Sequence, residues 1–368
     1  MIFLLKLWLI LIGVVIIIFC SYTGLYYYYS KKTIQRFKDK VYPTATLVIP
    51  FYNEEIVMKK KIEDISKINY PKNRLLILFL NDHSDDNSIN IIKKEAKILP
   101  FKFEIINNKN AQGKSNALNY IFPKIKSEIT IITDADSLIK EDAVENLVQY
   151  FQNKTIGGAN AKLVILKPGQ DSKTYKEEKD YRFFYDLWRR GESNIDSISI
   201  CNGPLMIFRT GLIREINLTS LVDDTELVFK VITKNFRVVY DSNSLVYEVT
   251  PLESAERTKQ KMRRVRGLIN VYLKNFGMLG KGKFGSIVYP YALLTHIVAP
   301  YLILAISLIY LILIIKIPLI ILLLLGFFIP KIGPFAYSFI STQIIMALSP
   351  FLARGWNTAK SSREELSR

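Results

Sequence analysis

Two long apolar stretches frame a middle region in which short apolar runs alternate with polar segments. The first stretch runs without a charge from Leu7 to Phe19 and continues to a group of tyrosines that ends at Tyr29. The second runs from Ile287 to Ala353, and its charged side chains are those of Lys316 and Lys331. Both are long enough to cross a bilayer, and tyrosines are common at the membrane interface. The pattern therefore predicts one soluble domain between membrane segments.

The second stretch can hold two or three crossings. Ile287–Ile315 is long enough for one full crossing, whereas Ile317–Ile329 is short for another and is followed by a break at residues 330–334. A cleaved signal peptide is the alternative for the first stretch, and it is disfavoured because no small-residue cleavage site follows. We predict five regions: an N-terminal transmembrane helix (1–29), a globular domain (30–256), an amphipathic interfacial helix (257–284), a C-terminal transmembrane region (285–353) and a tail (354–368).

Basic residues lie beside each apolar stretch and set its predicted orientation. The formal net charge is +17, and lysines and arginines gather at residues 31–40, at Lys281 and Lys283, and at residues 354–363. Positive residues favour the cytoplasmic side of a membrane, so we expect the middle domain and the tail there. The same distribution favours an anionic membrane surface over nucleic acid as a partner. The two cysteines, Cys20 and Cys201, indicate no disulfide framework and no cysteine zinc cluster.

The middle region has the alternation that is typical of an α/β domain with a largely parallel sheet. Apolar runs predict strands at Thr46–Pro50, Leu75–Asn81, Phe103–Asn107 and Ile129–Thr133. Segments with helical character separate them, at Glu54–Ile68, Asp86–Leu99 and Ser115–Phe122. Strands and helices that alternate in this way form a sheet with helices packed on it.

Acidic residues follow three of these strands at the point where each strand ends. Phe-Tyr-Asn-Glu-Glu follows the first, Asp-His-Ser-Asp-Asp the second, and Asp134-Ala135-Asp136 the fourth. The carboxyl ends of parallel strands share one edge of a sheet, where ligands bind. Two aspartates one residue apart suit Mg²⁺ or Mn²⁺, which one or two carboxylates hold while substrate phosphates complete the coordination. The alternative is an aspartate that caps the next helix, but three acidic loops at one edge favour a site.

Two phosphate-binding motifs are excluded by their surroundings. Gly113-Lys114-Ser115 resembles the end of a P-loop, but Asn108 stands where the earlier glycine is required. A dinucleotide-binding fold needs Gly-x-Gly-x-x-Gly after its first strand, where this chain has Phe-Tyr-Asn-Glu-Glu. The sequence therefore disfavours an ATPase and a nicotinamide-dependent oxidoreductase.

Six short motifs, in the same order, resemble those of family 2 glycosyltransferases, the inverting nucleotide-sugar enzymes with a GT-A fold. They cover residues 46–267 and are Val-Ile-Pro-Phe-Tyr-Asn-Glu-Glu (48–55), Asn-Asp-His-Ser-Asp-Asp (81–86), Gln-Gly-Lys-Ser-Asn-Ala-Leu-Asn (112–119), Asp-Ala-Asp (134–136), Asp-Asp-Thr-Glu-Leu (223–227) and Gln-Lys-Met-Arg-Arg-Val-Arg-Gly (260–267). The resemblance implies a GT-A domain, the nucleotide-diphospho-sugar transferase fold with a mainly parallel sheet, flanked by transmembrane helices.

The resemblance also implies roles for residues along the predicted crevice. The residues implied to bind the nucleotide sugar are Pro50, Tyr52, Glu54, Asp82, Lys114 and Asp134. Among them, Asp82 would contact the base, which is usually uracil. Asp136 would ligate Mg²⁺ or Mn²⁺, and Asp134 would be shared between the metal and the ribose. Such a metal neutralises a leaving diphosphate as its bond to the sugar breaks.

Asp224 is the candidate general base. It is the second acid of Asp223-Asp224-Thr225-Glu226, which resembles the family motif that carries the base. An inverting transfer needs one carboxylate within hydrogen-bond reach of the acceptor hydroxyl, opposite the leaving group. The alternative is an acidic cluster that stabilises the start of a helix over Leu227–Lys234 through its dipole.

A basic segment resembles the Gln-x-x-Arg-Trp element of membrane-bound members, in which basic residues meet the diphosphate. The matching residues are Gln260, Arg263 and Arg266. Arg264 stands where the tryptophan of the acceptor site is expected, and a guanidinium offers charge and planar donors instead of an indole face. This departure suggests an anionic acceptor, such as a lipid phosphate. Asn202 and Gly203, between the metal and base motifs, would also border the acceptor.

The same segment carries an apolar stripe at alternating spacings of three and four residues. Its members are Met262, Val265, Ile269, Tyr272, Phe276 and Leu279. The stripe predicts an amphipathic helix that lies on the membrane or packs on the domain's own core. Both readings fit the sequence.

Together these features predict a multi-pass membrane protein with a cytoplasmic catalytic domain. It would transfer a sugar from a nucleotide diphosphate sugar, a UDP-hexose or a UDP-N-acetylhexosamine, to a lipid or polysaccharide acceptor. A processive polysaccharide synthase is an alternative, and with so few spans it would need a partner subunit for export. A non-catalytic membrane subunit of a glycan assembly complex is a second alternative, although none of the key acids Asp134, Asp136 and Asp224 is missing.

Overall fold

The computed structural model describes residues 1–32, 39–166, 173–218, 220–249, 254–318 and 332–351. The described strands are β1 (Ala45–Phe51), β2 (Leu75–Asn81), β3 (Lys102–Asn107), β4 (Ile129–Thr133), β5 (Leu138–Ile139), β6 (Ile156–Ile165), β7 (Leu205–Arg209) and β8 (Arg237–Glu248). The described helices are α1 (Ile2–Ser30), α2 (Glu55–Ile65), α3 (Ser88–Glu95), α4 (Lys114–Ile121), α5 (Ala143–Val148), α6 (Lys173–Ile195), α7 (Asp223–Ile232), α8 (Ser254–Lys274), α9 (Tyr289–Leu293), α10 (Ala299–Lys316) and α11 (Ile332–Leu348).

Within the described residues, eight strands form one mixed sheet in the order β3-β2-β1-β4-β7-β6-β8-β5. β1 pairs in parallel with β2 and β4, and β2 pairs in parallel with β3. β7 runs antiparallel to β4 and β6, and β5 runs antiparallel to β8. The predicted α/β class with a mainly parallel sheet is therefore confirmed. The predicted strands are β1 to β4, and their carboxyl ends share one edge.

Helices cover both faces of the sheet because its central strands are apolar on both sides. Every residue of β1 is buried. Leu47 and Ile49 belong to a cluster that includes residues of α2, α3 and α5. Val48, which points to the opposite face, belongs to a second cluster with residues of α4, α7 and α8. Parallel strands covered on both faces have continuous apolar sequences, which explains why their positions could be predicted.

The N-terminal helix α1 packs directly on the globular domain. Tyr22 and Tyr26 of α1 are fully buried in the second apolar cluster. α1 passes so close to α6 that a Cβ on Gly191 would lie 2.5 Å from the Cβ of Tyr26. Beside this crossing, α6 buries an ion pair between Arg189 and Glu192. The close crossing requires a glycine, since any side chain at residue 191 would overlap α1.

By length and composition, two described helices could cross a membrane, namely α1 and the continuous helix Phe284–Lys316 that contains α9 and α10. These helices contact each other, and one of the contacts is a hydrogen bond of 3.2 Å from the Trp8 side chain to the Ile306 carbonyl. The short segment predicted at Ile317–Ile329 lies, beyond Pro318, outside the described residues, and so does the tail of residues 354–368. The number of crossings stays a prediction.

The predicted interfacial helix is shorter than expected. We predicted it over residues 257–284, whereas α8 begins at Ser254 and ends at Lys274. Gly280 and Gly282 follow it with φ angles of +78° and +60°, a left-handed conformation that does not continue a helix. Tyr272 of the apolar stripe is fully buried in the domain, whereas Phe276 and Leu279 are exposed. Of the predicted stripe, Tyr272 reaches the core, where Leu268 and Val271 of the same helix are also buried, and Met262, Val265 and Ile269 are half-buried.

Candidate active site

The residues predicted to bind the nucleotide lie where β1 and β2 end. Pro50 is the second-last residue of β1 and is buried, as is Glu54, which precedes the first residue of α2. Tyr52 between them is 41% exposed, so its ring is open at the rim of the crevice. Asp82 directly follows β2, and its main-chain N–H donates to the carbonyl of Phe51 at 2.9 Å. These four side chains therefore belong to one pair of neighbouring turns.

The other polar residues of these two turns hold the turns together. The main-chain N–H of Asn53 donates to Ser84 Oγ at 3.1 Å, and its side-chain amide donates to Asp85 Oδ1 at 2.6 Å. Asp86 accepts from the first helical N–H of α2 at 3.0 Å and from the Ser88 N–H that starts α3 at 3.0 Å. Asp86 thus satisfies main-chain donors at the start of both helices, so part of the acidic character of this edge is structural.

Asp82 is buried and connects the end of β2 to the loop that carries Lys114. Its Oδ2 accepts from the Gly113 N–H at 2.8 Å, and its Oδ1 accepts from Asn108 Nδ2 at 2.8 Å. A carboxylate has about four lone-pair sites, so these two bonds leave capacity for a ligand. Through the bond from the Gly113 N–H, Asp82 fixes the start of α4, whose first residue is Lys114.

Lys114 joins the predicted metal loop to the predicted base motif. Its Nζ lies 2.7 Å from Asp134 Oδ1 and 3.3 Å from Asp223 Oδ2. Burial alone would lower the pKa of Lys114, but the two carboxylates outweigh it and raise that pKa. Burial acts to raise the pKa of Asp134, and the ammonium group of Lys114 outweighs this effect and lowers it. Both groups are therefore charged at neutral pH.

Asp134 and Asp224 approach the same glycine from two parts of the chain. A Cβ on Gly203 would lie 3.5 Å from Asp134 Oδ2 and 3.4 Å from Asp224 Oδ2. The two carboxylates thus share a cradle that a larger side chain at residue 203 would fill. Burial and the neighbouring carboxylate of Asp223 raise the pKa of Asp224 to about 6, against a hydrogen bond from the Thr225 N–H. A carboxylate with this pKa is ionised at neutral pH and is well suited to accept a proton.

A buried asparagine in β6 positions the loop that contains Asn202 and Gly203. Asn160 Nδ2 donates to the carbonyls of Asn202 and Leu205 at 2.8 and 2.9 Å, and its Oδ1 accepts from the Asn202 N–H at 3.1 Å. The side chain of Asn160 is therefore fully used in holding backbone. The Asn202 side-chain Nδ2 is buried and has no hydrogen-bond partner in the described part of the chain.

A fully buried lysine supports the Asp134-Ala135-Asp136 loop from α2. Lys61 Nζ donates to Thr133 Oγ1 at 3.0 Å and to the Ser137 carbonyl at 2.8 Å, one residue before and one residue after the loop. Thr133 Oγ1 in turn donates to the Pro204 carbonyl at 2.7 Å. Burial lowers the pKa of Lys61, and the carboxylates of the neighbouring aspartates oppose this shift. The Asp134-Ala135-Asp136 loop and the loop that contains Asn202, Gly203 and Pro204 are therefore held by one hydrogen-bonded chain.

The arginines of α8 lie in two different environments. Arg263 and Arg264 line a cavity with Asp134 and Asp224. We predicted Arg266 at the diphosphate, but the structure places its guanidinium elsewhere, where it donates to the Ser349 carbonyl at 3.1 and 2.7 Å. Arg266 is not among the residues that line the cavity. Gln260 is half-buried and does not line this cavity.

The cavity has a volume of about 270 Å³. It extends from the acidic groups of the strand edge to two residues of the C-terminal apolar helices, His296 and Thr342. The predicted site residues that it brings together are Lys114, Asp134, Asn202, Gly203, Asp224, Arg263 and Arg264. The predicted nucleoside contacts Pro50, Tyr52, Glu54 and Asp82 do not line it.

A family model described as "Glycosyltransferase like family 2" matches residues 43–267, which is more than half of the chain. The chain belongs to this glycosyltransferase family. The matched range contains all six motifs that suggested the resemblance, so the predicted family is confirmed. It ends within α8, directly after the basic segment.

Two curated relatives of this glycosyltransferase are similar over the same region. The probable glycosyltransferase YdaM of Bacillus subtilis (strain 168) is 25% identical over 272 residues, which cover 72% of this chain and 65% of the relative. The poly-beta-1,6-N-acetyl-D-glucosamine synthase of Staphylococcus epidermidis is 22% identical over 234 residues, which cover 63% of this chain and 56% of the relative. The chain thus spans about three fifths of the length of these relatives.

One solved structure shares nearly the whole architecture. The mannosyltransferase PcManGT from Pyrobaculum calidifontis, solved in complex with GDP-Man and Mn²⁺, aligns with a TM-score of 0.76 at 21% sequence identity. The alignment covers 93% of this chain and 99% of that chain. At this identity the likeness shows the fold, which is the predicted GT-A fold with additional apolar helices.

The carboxylates of the metal loop fit a divalent cation that is shared with a substrate. Within the described residues, no group of three or more His, Cys, Asp or Glu side chains is placed to hold a metal ion by itself. Mg²⁺ and Mn²⁺ in nucleotide sites are usually held by one or two carboxylates and by phosphate oxygens, so a complete protein cage is not required. Asp136 and the Asp134 Oδ2 atom in the Gly203 cradle are the groups that would hold the ion.

Three residues of the site were missed by sequence reasoning. Lys61 lies in an ordinary helical segment and Asn160 lies within the β6 strand, and no local pattern marks either of them. Glu248 ends β8, and the pairing of Leu138 with Tyr247 places it opposite Ser137, next to Asp136. Burial raises the pKa of Glu248 to about 7, with Arg264 opposing and Asp136 supporting the shift. A non-local strand pairing brings it there, so the sequence offered no signal.

Proposed function

We propose that this chain is a membrane-bound inverting glycosyltransferase that uses a nucleotide diphosphate sugar. The donor would be a UDP-hexose or a UDP-N-acetylhexosamine, and the acceptor would be a lipid or a polysaccharide at the cytoplasmic face. The observation that carries the proposal is the pair of carboxylates, Asp134 and Asp224, that meet across Gly203 beside Lys114. Asp134 would belong to the donor side of the site, and Asp224 to the acceptor side.

The donor would lie along the carboxyl ends of β1, β2 and β4. Tyr52 and Asp82 would border the base, and the diphosphate would lie near Lys114 and the metal loop. A divalent ion held by Asp134 and Asp136 would neutralise charge on the diphosphate as it leaves. Lys114 can also stabilise that charge, because its ammonium group is already oriented by Asp134 and Asp223.

Asp224 would act as the general base. Its Oδ1 is held by the Thr225 N–H, which leaves Oδ2 facing the cradle at Gly203. The acceptor hydroxyl loses its proton to Asp224 as its oxygen bonds to the anomeric carbon of the sugar. The bond from that carbon to the diphosphate breaks on the opposite face, and the nucleoside diphosphate leaves. The configuration at the sugar is thereby inverted in one step.

The proposal is tested with the full chain in membranes. Radiolabelled UDP-sugars and GDP-mannose are supplied with Mn²⁺ or Mg²⁺, and label in organic, aqueous and insoluble fractions is measured. We expect transfer that stops when EDTA is added and falls at least about a hundredfold in Asp136→Ala. Asp224→Asn should lose about 10²-fold to 10⁴-fold in rate while it still binds the donor.

Glu63→Gln, an exposed carboxylate change on α2, serves as the matched control and should keep full activity. Transfer that is unaffected by Asp136→Ala and Asp224→Asn would remove both assignments. Binding of donor without any transfer by the unmodified chain would instead support a non-catalytic subunit.

The poly-N-acetylglucosamine synthase relatives favour a second candidate, a processive polysaccharide synthase. Such an enzyme would need a partner for export, since the described residues include two candidate spans. Label in an insoluble polymer would select this function, whereas a product with one added sugar would select single transfer.

A further inference from the structure

The cavity beside Asp224 reaches helices that could lie in a membrane. Asp134 and Asp224 line one end of it, and His296 and Thr342 line another part. His296 belongs to the candidate span Phe284–Lys316, and Thr342 belongs to α11. An acceptor that occupies this cavity therefore lies between the catalytic carboxylates and apolar helices.

The cavity begins at Lys114 and Asp134, which are proposed to meet the donor diphosphate, and extends from there to the acceptor side of the site. The residues proposed to contact the nucleoside do not line it, and the loop of Asn202 and Gly203 does. Asn202 contributes a buried amide, 9% exposed, whose Nδ2 has no partner in the described part of the chain. A buried donor without a partner is costly unless a ligand satisfies it. We take this amide as one contact for a polar headgroup.

The wall formed by α8 is cationic. Lys261, Arg263 and Arg264 all line the cavity. Arg264 is exposed and makes no hydrogen bond or ion pair with any other described residue, yet it is close enough to influence Asp134 and Asp224. A guanidinium binds phosphate through parallel N–H donors, and it is the planar group best matched to such an anion. Arg264 is thus a cavity-lining guanidinium without a protein partner in the described residues, and its chemistry suits a phosphate.

The lining of the cavity changes along its length. Charged and polar side chains surround the end at Asp134 and Asp224, whereas the C-terminal apolar helices border the cavity at His296 and Thr342. A lipid acceptor would therefore place its headgroup in the cavity and its chain among the apolar helices beyond His296 and Thr342.

We propose that the acceptor is an anionic lipid that carries a hydroxyl and a phosphate in its headgroup. The inference rests on the proposed function and specifies its acceptor. The hydroxyl faces Asp224, the phosphate binds Arg264, and the hydrocarbon chain leaves past His296 and Thr342. The hydroxyl oxygen forms the new bond to the sugar, its proton passes to Asp224, and the donor's nucleoside diphosphate leaves. Arg264 recognises the phosphate and takes no part in bond breaking.

The first experiment identifies the charge and phase of the product. Membranes from the organism that encodes this chain are incubated with the labelled donor sugar that supports transfer, with the full chain added. We expect label in the organic phase, and we expect the labelled lipid to bind an anion-exchange column. A neutral lipid product, a water-soluble product or an insoluble polymer would overturn the inference while leaving sugar transfer itself established. Absence of any transfer would count against the proposed function first.

The second experiment tests Arg264 with the acceptor lipid extracted from those membranes. Arg264→Ala should raise the KM for the lipid at least about tenfold and leave the KM for the donor unchanged, because the phosphate loses a charge-assisted contact. Arg264→Lys should restore part of the loss, because it keeps the charge but not the planar donors. Lys259→Ala, an exposed change on the same helix that does not line the cavity, is the control.

A rise in the donor KM alone would assign Arg264 to the donor diphosphate and overturn the inference. The water-soluble headgroup, released from the lipid by chemical cleavage, distinguishes a lipid from a free phosphate compound. If the headgroup is glycosylated as efficiently as the intact lipid, the membrane helices contribute nothing to acceptor binding and the inference fails.

Thr342→Trp should reduce transfer to the lipid more than transfer to the released headgroup.

Discussion

The ammonium group of Lys61 donates a 2.8 Å hydrogen bond to the main-chain carbonyl of Ser137, directly after the Asp134-Ala135-Asp136 loop. A second bond from the same group reaches Thr133 Oγ1, directly before the loop. The loop is therefore held at both ends by one buried lysine. Because Lys61 is fully buried and its hydrogen bonds go to the residues that flank the loop, we expect it to act as a positioning residue.

Lys61→Met should weaken both the fold and metal use. The buried Ser137 carbonyl and Thr133 hydroxyl lose a donor, so the free energy of unfolding should fall by about 1–3 kcal/mol. The Mn²⁺ concentration for half-maximal transfer should rise severalfold, because Asp134 and Asp136 are held less firmly. Chemical denaturation and metal titration of transfer measure the two effects. Lys59→Met, an exposed change on the same helix, should alter neither. An unchanged metal requirement would reduce Lys61 to a purely structural role.

The pH dependence of transfer should report the ionisation of Asp224. Its pKa is raised to about 6, so the fraction of ionised base, and with it kcat/KM, should fall about tenfold per pH unit below that value. The carboxylate of Asp223 is one cause of the raised pKa, so Asp223→Asn should move the acidic limb to lower pH. Both profiles are measured from initial rates at low substrate concentration, over roughly two pH units on each side of the pKa of Asp224. A limb that does not move in Asp223→Asn would contradict the assignment.

Gly203→Ala should lower activity without harming the fold. The new Cβ would make ordinary contacts of 3.4 and 3.5 Å with Asp224 Oδ2 and Asp134 Oδ2, so the thermal unfolding midpoint should not change. The methyl group occupies the cradle between the two carboxylates, and we expect a loss of about tenfold to a hundredfold in kcat/KM. Gly277→Ala, which meets open space, is the matched control. Full activity of Gly203→Ala would show that no reacting group enters the cradle.

The buried ion pair of α6 should show strong coupling between its two members. Arg189→Met leaves Glu192 buried without its cation and should cost about 3–5 kcal/mol. Arg189→Met combined with Glu192→Gln removes the stranded charge and keeps an acceptor for the Ser199 N–H, so it should cost less than Arg189→Met alone. Unfolding in detergent measures Arg189→Met, Glu192→Gln and the combined variant. Additive losses would show that the pair does not act as a unit.

Several parts of this protein follow from local sequence. β1 to β4 could be placed to within one residue. For β1, β2 and β4 the reason is that buried parallel strands appear as continuous apolar runs between helical segments. The six motifs identified the family, and their order along the chain located Asp134, Asp136 and Asp224. The apolar stretches at both ends predicted candidate spans, and two of them are long apolar helices in the structure.

Other parts were decided only when distant segments packed together. Lys61, Asn160 and Glu248 carry no signal in the sequence, because each reaches the site through a strand pairing or a helix contact over many residues. Arg266 matched a motif, yet its guanidinium donates to the Ser349 carbonyl and does not line the cavity with Arg264. The sequence by itself determined the family and the α/β class, since the motifs and the apolar runs at the strands suffice for both. The tertiary structure alone decided which side chains line the cavity, because its walls come from α8, α11 and the edge of the sheet, which are distant in sequence and meet only when the chain packs.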